Sequence, residues 1–148
     1  MASGNAHSHE AALRSLYQAY LATVRGAPDA TQIRQAILAV AGGASTADVY
    51  WLRACLATLA KLMELVLPSP RLAAGERVAI FRFALPLLLS VRSGRTGRTI
   101  LRRSVEQLRE SEPSIDLPPL SQAQTLMNMA APEKKLSSAT MAEVLAMF

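Results

Sequence analysis

The stretch "WLRACLATLAKLMELV", Trp51 to Val66, decides the fold class because its apolar residues recur at helical spacing. Its spine repeats every three or four residues, as one face of an α-helix does. That spine consists of Leu52, Leu56, Leu59, Met63 and Val66. Because Cys55, Leu62 and Leu65 widen the apolar stripe, we predict a central helix over 46–67, packed on several sides. Trp51 is expected to anchor the core.

The composition of the whole chain supports a helical protein. Of the 148 residues, 51% are hydrophobic, mainly Ala and Leu, whereas only 5% are aromatic. Such a composition favours helices over strands, and the length is that of one ordinary domain. The sequence therefore predicts an all-α fold, a compact bundle of about five helices with an extended, partly helical C-terminal tail.

The other helix boundaries follow from caps and breakers. We expect a flexible N-terminal arm over 1–9, a helical domain over 10–112 and a proline-containing tail with short terminal helices over 113–148. Within the domain the first helix spans 10–25, and Asp29 begins a second one as the first residue of a capping box. A fourth helix starts near Ala74. Gly94 and Gly97 are expected to interrupt the helical structure before a fifth helix over 99–111.

Positive charge is concentrated in one segment. The net charge is +5, yet residues 77–109 contain eight arginines against the single acid Glu106, which gives +7. Residues 1–76 add +1 and residues 110–148 add −3. A compact source of charge attracts anions more strongly than a diluted one, and the planar guanidinium group matches phosphate or carboxylate.

The candidate binding site is "SVRSGRTGRTILRRS", residues 90–104, interpreted as a glycine-hinged, arginine-rich loop. Glycines let successive amides turn toward one anion, and hydroxyl and guanidinium groups complete the contact. The expected polyanion-binding residues are Arg92, Arg95, Thr96, Arg98, Thr99, Arg102 and Arg103. The stretch lacks the lysine and spacing of a P-loop. It also lacks interleaved aromatic residues, so any nucleic-acid binding is expected to be independent of sequence.

Two other interpretations of this segment remain open. Its arginines can form weak surface ion pairs with acids such as Glu106, Glu110, Glu112 and Asp116, leaving a merely solvated loop. They can also meet an acidic protein partner or, less favoured, lipid head groups on a membrane surface.

The tail differs in character from the domain. Residues 117–132 contain no charged side chain, and the last twelve residues have a small helical apolar stripe. A helix this short is marginal alone in water, so the tail is expected to pack on its own domain or on a partner. The expected partner-binding residues are Leu126, Met129, Met141, Val144, Leu145 and Phe148.

No pattern in the chain indicates an enzyme. Cys55 is the single cysteine and lies in an apolar run, whereas both histidines, His7 and His9, lie near the N-terminus. No catalytic triad, metal-ligand cluster or nucleotide fingerprint is present, so no cofactor or metal is expected. The chain has no basic, apolar secretory signal and no apolar run of the roughly 20 residues that span a bilayer. These features predict a soluble, intracellular protein, either cytoplasmic or within an assembly.

One short stretch resembles a known family. "ALRSLYQAYLATVR", residues 12–25, resembles the opening helix of LYR-motif mitochondrial accessory proteins, which are small, basic and helical. Tyr17 is followed by Gln18, where that motif has arginine, so we do not assign the chain to that family.

Together these features favour a structural, self-associating protein, similar to a coat or nucleocapsid protein, that binds RNA or DNA through its basic segment. The alternative is a non-enzymatic accessory subunit of a larger protein complex. In that case the basic segment and the tail both dock on partner proteins.

Overall fold

A computed structural model of the chain describes residues 2–44 and 47–111, and within these ranges all regular structure is helical. It contains five α-helices and one 3-10 turn, Val91–Ser93, between the last two of them. The helices are α1 (Ala2–Val24), α2 (Ala30–Gly43), α3 (Val49–Val66), α4 (Ala74–Leu88) and α5 (Gly94–Ser111). The predicted all-α bundle of about five helices is confirmed.

The helices pack side by side in a closed order that differs from their order in the chain. α1 packs on α2 and α3, α2 packs on α4, and α4 packs on α5, which returns to α3. The order around the bundle is therefore α1, α2, α4, α5, α3. The core inside contains Leu16, Ile33, Ile37, Leu59, Leu62, Ile80, Phe81 and Leu85, all inaccessible to water.

α3 forms one wall of this bundle instead of its centre. Its buried side faces the core, but Arg53, Lys61 and Glu64 lie on an exposed outer face together with Leu65. The sequence predicts a central helix because Leu65 widens the apolar stripe of α3 in the sequence pattern. The outer charged residues, however, keep that side in water.

α4 supplies another apolar wall, and its two arginines differ in burial. Arg82 is exposed, whereas Arg77 is buried at the start of the helix. The Arg77 Nη1 donates hydrogen bonds to the carbonyl oxygen of Leu67 (3.0 Å) and to Ser111 Oγ (3.3 Å). Arg77 therefore connects the ends of α3 and α5 to the first turn of α4. Within the described ranges none of the helices is both long and apolar enough to cross a membrane.

Carboxylate caps set two of the helix starts. Asp29 accepts hydrogen bonds from the backbone amides of Thr31 and Gln32, so α2 begins where the capping box predicts. Asp48 in turn accepts a hydrogen bond from the Trp51 amide at 2.9 Å. α3 therefore begins at Val49, three residues later than expected, because its cap is Asp48.

α1 begins at Ala2, so it includes most of the stretch 1–9 for which a flexible arm is expected from the sequence, and its His9 packs on the domain. The indole Nε1 of Trp51 donates a hydrogen bond to the His9 carbonyl oxygen at 2.6 Å. The centroids of the His9 and Trp51 rings also lie 4.9 Å apart. Trp51 is thus half-buried against the core and holds α1 onto α3.

The expected interruption before the fifth helix is present, but it ends at Gly94, so α5 begins five residues earlier than predicted and includes Gly97. Gly94 has a φ of 55° and begins α5, whereas Gly97 lies buried within the first turns of that helix. A Cβ atom at Gly97 would lie 2.6 Å from the carbonyl oxygen of Leu88 and 2.7 Å from Ser93 Cβ. Gly97 is therefore required for the close approach of α5 to the end of α4, not for flexibility.

Candidate polyanion-binding site

The arginine-rich segment forms a helix instead of a loop, and its buried face determines where each arginine points. Gly97, Ile100, Leu101, Ser104, Val105 and Leu108 of α5 all face the core. The hydroxyl of Ser104 is satisfied within the helix, since it donates to the Ile100 carbonyl oxygen at 2.7 Å. Because this face is packed, α5 cannot rotate, and the directions of its outer side chains follow from the helical repeat.

Four arginines lie on one side of α5. At about 100° per residue, Arg95, Arg98, Arg102 and Arg109 fall within about 60° of one another around the helix axis. We call these four residues the arginine row. With a rise of about 1.5 Å per residue, the row extends about 21 Å along the helix. Three of its members are exposed, and Arg98 is half-buried.

Two predicted hydroxyl residues take different places relative to the arginine row. The Thr99 hydroxyl donates a hydrogen bond to the Arg95 carbonyl oxygen at 3.0 Å, so its proton is used within α5. Thr99 nevertheless lies beside Arg95 on the exposed side. Thr96 is exposed as well, but it lies about 130° from the middle of the row.

Arg92 points away from the arginine row, although the sequence pattern groups it with the same candidate site. Its guanidinium group turns toward the α2–α3 connection, where Nη1 donates to the Ala44 carbonyl oxygen and Nη2 to that of Ala47, both at 2.6 Å. Both alanines are buried. The side chain of Arg92 therefore holds this connection against the 3-10 turn before α5.

Arg103 is the second departure from the predicted set. Its guanidinium lies 3.1 Å from Glu64 Oε1 on α3, at a position about 110° around α5 from the arginine row. Both side chains are about half exposed, so this ion pair contributes little to stability. Arg103 consequently lies at the seam between α5 and α3, apart from the other arginines.

Arg109 is the member of the row that the sequence-based site omitted. It follows Arg102 by seven residues, which is two helical turns, so a helical period was the available signal. Arg109 was left out because the candidate site was confined to residues 90–104, although Arg102 and Arg109 both lie in the helix predicted over 99–111. The residues of the predicted tail surface lie outside the described part of the chain.

The row is chemically suited to an extended anion. Each guanidinium group can donate two parallel hydrogen bonds to a phosphate, and the positive end of the α5 dipole lies near Arg95. No aromatic residue occurs in α5. This helix therefore offers no side chain for stacking on bases, but its arginines can contact a phosphate backbone.

Cys55 is not positioned for nucleophilic chemistry. The thiol is completely buried in α3, and burial raises its pKa from 9.0 to about 12. It is therefore protonated near neutral pH, whereas only the thiolate is an effective nucleophile. In the described ranges, no three His, Cys, Asp or Glu side chains come together as a metal site.

The distinct roles of Arg92 and Arg95 lead to a prediction on stability. Replacing Arg92 with alanine is expected to lower the free energy of unfolding by about 2 kcal/mol, because two carbonyl groups lose charged donors. Arg95→Ala removes an exposed side chain with no tertiary hydrogen bond to the described residues, so the change should stay within about 0.5 kcal/mol. Urea unfolding followed by circular dichroism measures both. Equal losses in the two variants would contradict a structural role for the hydrogen bonds from Arg92 to Ala44 and Ala47.

The chain matches no protein-family model, no curated protein and no solved structure. The functional proposal therefore depends on the geometry of these side chains.

Proposed function

We propose that the protein is a structural, self-associating helical protein that binds the phosphate backbone of RNA or DNA through the arginine row. The single observation that supports this role is the alignment of four arginines along about 21 Å of one packed helix. Because a packed helix holds its side chains in register, the charges meet an extended polyanion together. The protein then resembles a coat or nucleocapsid protein in its mode of binding.

Self-association is the second part of the proposal. The tail ends in an apolar stripe at helical spacing, which is too short to be stable alone. Docking this stripe on another copy joins copies head to tail. Such an assembly, soluble and inside the cell, presents many arginine rows to one nucleic acid and thereby raises the overall affinity.

A fluorescence anisotropy titration with two unrelated duplexes of 20 base pairs tests nucleic-acid binding. At physiological salt we expect dissociation constants of about 1–100 μM, nearly equal for the two sequences, as for non-specific contacts, and much tighter binding at low salt. The logarithm of the affinity should fall with the logarithm of salt concentration with a slope of about −3 to −4, since four arginines release counterions.

The result that contradicts this function is equally specific. No change in anisotropy at tens of micromolar protein and low salt would exclude nucleic acid as the partner. It would leave the accessory-subunit alternative, in which the arginine row meets an acidic protein surface. Flotation with vesicles containing anionic lipid, compared with neutral vesicles, separates that alternative from binding to a membrane surface.

A further inference from the structure

α1 has two apolar faces, of which the bundle buries one completely and the other only in part. The first is packed in the core and consists of Ala12, Leu16 and Ala19. The second lies beside it, over about three helical turns. We call this second set the α1 face, and it consists of Leu13, Tyr17, Tyr20, Leu21 and Val24.

The α1 face is open to water at two of its largest residues. Tyr17 is 52% and Val24 is 55% exposed, whereas the other three members are half-buried. The rings of Tyr17 and Tyr20 lie 6.2 Å apart, so they form one aromatic surface. Leu13 and Tyr20 pack partly against the core, whereas Tyr17 and Val24 remain largely open to water.

Two other exposed apolar side chains in the described part of the chain, Phe83 and Tyr50, lie beside charged groups. Phe83 lies beneath the guanidinium of Arg34, 5.8 Å from its carbon. Tyr50 is 76% exposed, but it shares the outer face of α3 with Arg53 and Lys61. The α1 face is distinguished by five apolar residues at helical spacing without an intervening charge, which is the pattern of a helix-docking surface.

The chain itself carries a segment that fits this surface. Residues 138–148 place Met141, Val144, Leu145 and Phe148 at spacings of three and four residues, also without a charge in the stripe. Two such stripes bury each other when their helices pack. An amphipathic helix too short to be stable alone gains its stability from such a partner.

The starting point of the tail allows this contact. Arg77 holds Ser111 at the end of α5, and 37 residues follow it. The 26 residues over 112–137 can span up to about 85 Å when extended. That reach exceeds the diameter of about 35 Å expected for a domain of this size, so the last residues can reach the α1 face of the same copy or of a neighbour.

We propose that residues 138–148 dock as a helix on the α1 face. This inference deepens the tail-mediated self-association proposed above, and it does not depend on binding to nucleic acid. Docking within one copy would retain the surface proposed here but would contradict association between copies. The two ideas can therefore fail separately.

Disulfide crosslinking of the full-length protein, without nucleic acid, tests the docking surface. The variant Tyr17→Cys with Val144→Cys is oxidised and compared with a control variant that combines Tyr50→Cys with Val144→Cys. Cys55 is buried and does not compete for the introduced thiols. We expect the disulfide to form about tenfold faster at Tyr17 than at Tyr50, because docking raises the effective concentration.

A second substitution checks that the apolar contact is responsible. Val24→Glu, added to the Tyr17 and Val144 pair, is expected to slow crosslinking about tenfold, as loss of an important interface residue does. Leu38→Glu is the matched control, since Leu38 is 58% exposed on α2, and it should leave the rate unchanged. Equal rates at Tyr17 and Tyr50, or a rate unaffected by Val24→Glu, would overturn the proposal.

Non-reducing electrophoresis and mass spectrometry of the crosslinked product then distinguish the source of the tail. A disulfide-linked dimer supports docking on a neighbouring copy and the proposed self-association. An internal disulfide in a monomer supports docking on the α1 face of the same copy and contradicts self-association through this contact.

Discussion

Replacing Arg95, Arg98 and Arg102 together with alanine is expected to weaken nucleic-acid binding about 100-fold at low salt. Each arginine of the row contributes about 1 kcal/mol through contact with phosphate, and about 1.4 kcal/mol corresponds to a tenfold change in affinity. The salt slope should also become shallower by about 3, because each lost contact removes about one unit. Fluorescence anisotropy titrations at several salt concentrations measure both quantities.

The control for this variant changes the charge by the same amount elsewhere. Arg25, just after α1, Arg53 on α3 and Arg82 on α4 are all exposed. Replacing these three with alanine also lowers the net charge from +5 to +2, yet it leaves the arginine row intact. In the titrations at about 0.1 M salt, where the Debye length is about 10 Å, we expect an affinity loss of less than about threefold, since distant charges are screened. Equal losses in both triple variants would show that net charge, and not the row, binds the nucleic acid.

Gly97→Ala is expected to destabilise the fold by about 2–4 kcal/mol. The new Cβ atom would lie 2.6 Å from the backbone oxygen of Leu88, so either α5 or the end of α4 must move. Overpacking of this kind typically costs about 1–3 kcal/mol and occasionally more. Here the obstructing atom belongs to backbone that cannot change rotamer. Urea unfolding followed by circular dichroism at 222 nm measures the loss.

The same substitution at Gly42 provides a control for which the expected change in stability has the opposite sign. Gly42 lies within α2 and is exposed, with no atom within 4 Å of the position that a Cβ would occupy. Gly42→Ala is therefore expected to stabilise the protein by about 0.5–1 kcal/mol through helix propensity. A Gly97→Ala variant as stable as the wild type would contradict the close approach of α4 and α5.

Helix content and several helix boundaries could be predicted from local sequence. The start of α2 follows from Asp29, whose carboxylate satisfies two nearby amides, and the start of α4 near Ala74 was also anticipated. Such signals need no information from distant residues, because a cap and its amides lie within three positions. The burial of Cys55 was predictable for a similar reason, since it lies within a continuous apolar stripe.

The candidate site could be predicted only in part. Arg95, Arg98 and Arg102 were identified as basic residues, but Arg92 was assigned to the same surface although it binds the Ala44 and Ala47 carbonyl groups. Those partners lie more than 40 positions away in the chain. A guanidinium group is equally suited to phosphate and to backbone carbonyl oxygens, so its residue type does not reveal its partner.

Composition and periodicity alone determined that this chain is helical and that its positive charge is concentrated in residues 77–109. They also determined that its last residues carry apolar side chains at helical spacing. These properties depend on neighbours within a few positions. Tertiary structure alone decided that Gly97 belongs to a helix, that Trp51 holds His9 in place, and which arginines face water. The physical reason is packing: burial of one face of α5 against α3 and α4 determines its rotation, and that rotation sets the direction of every charge on the opposite face.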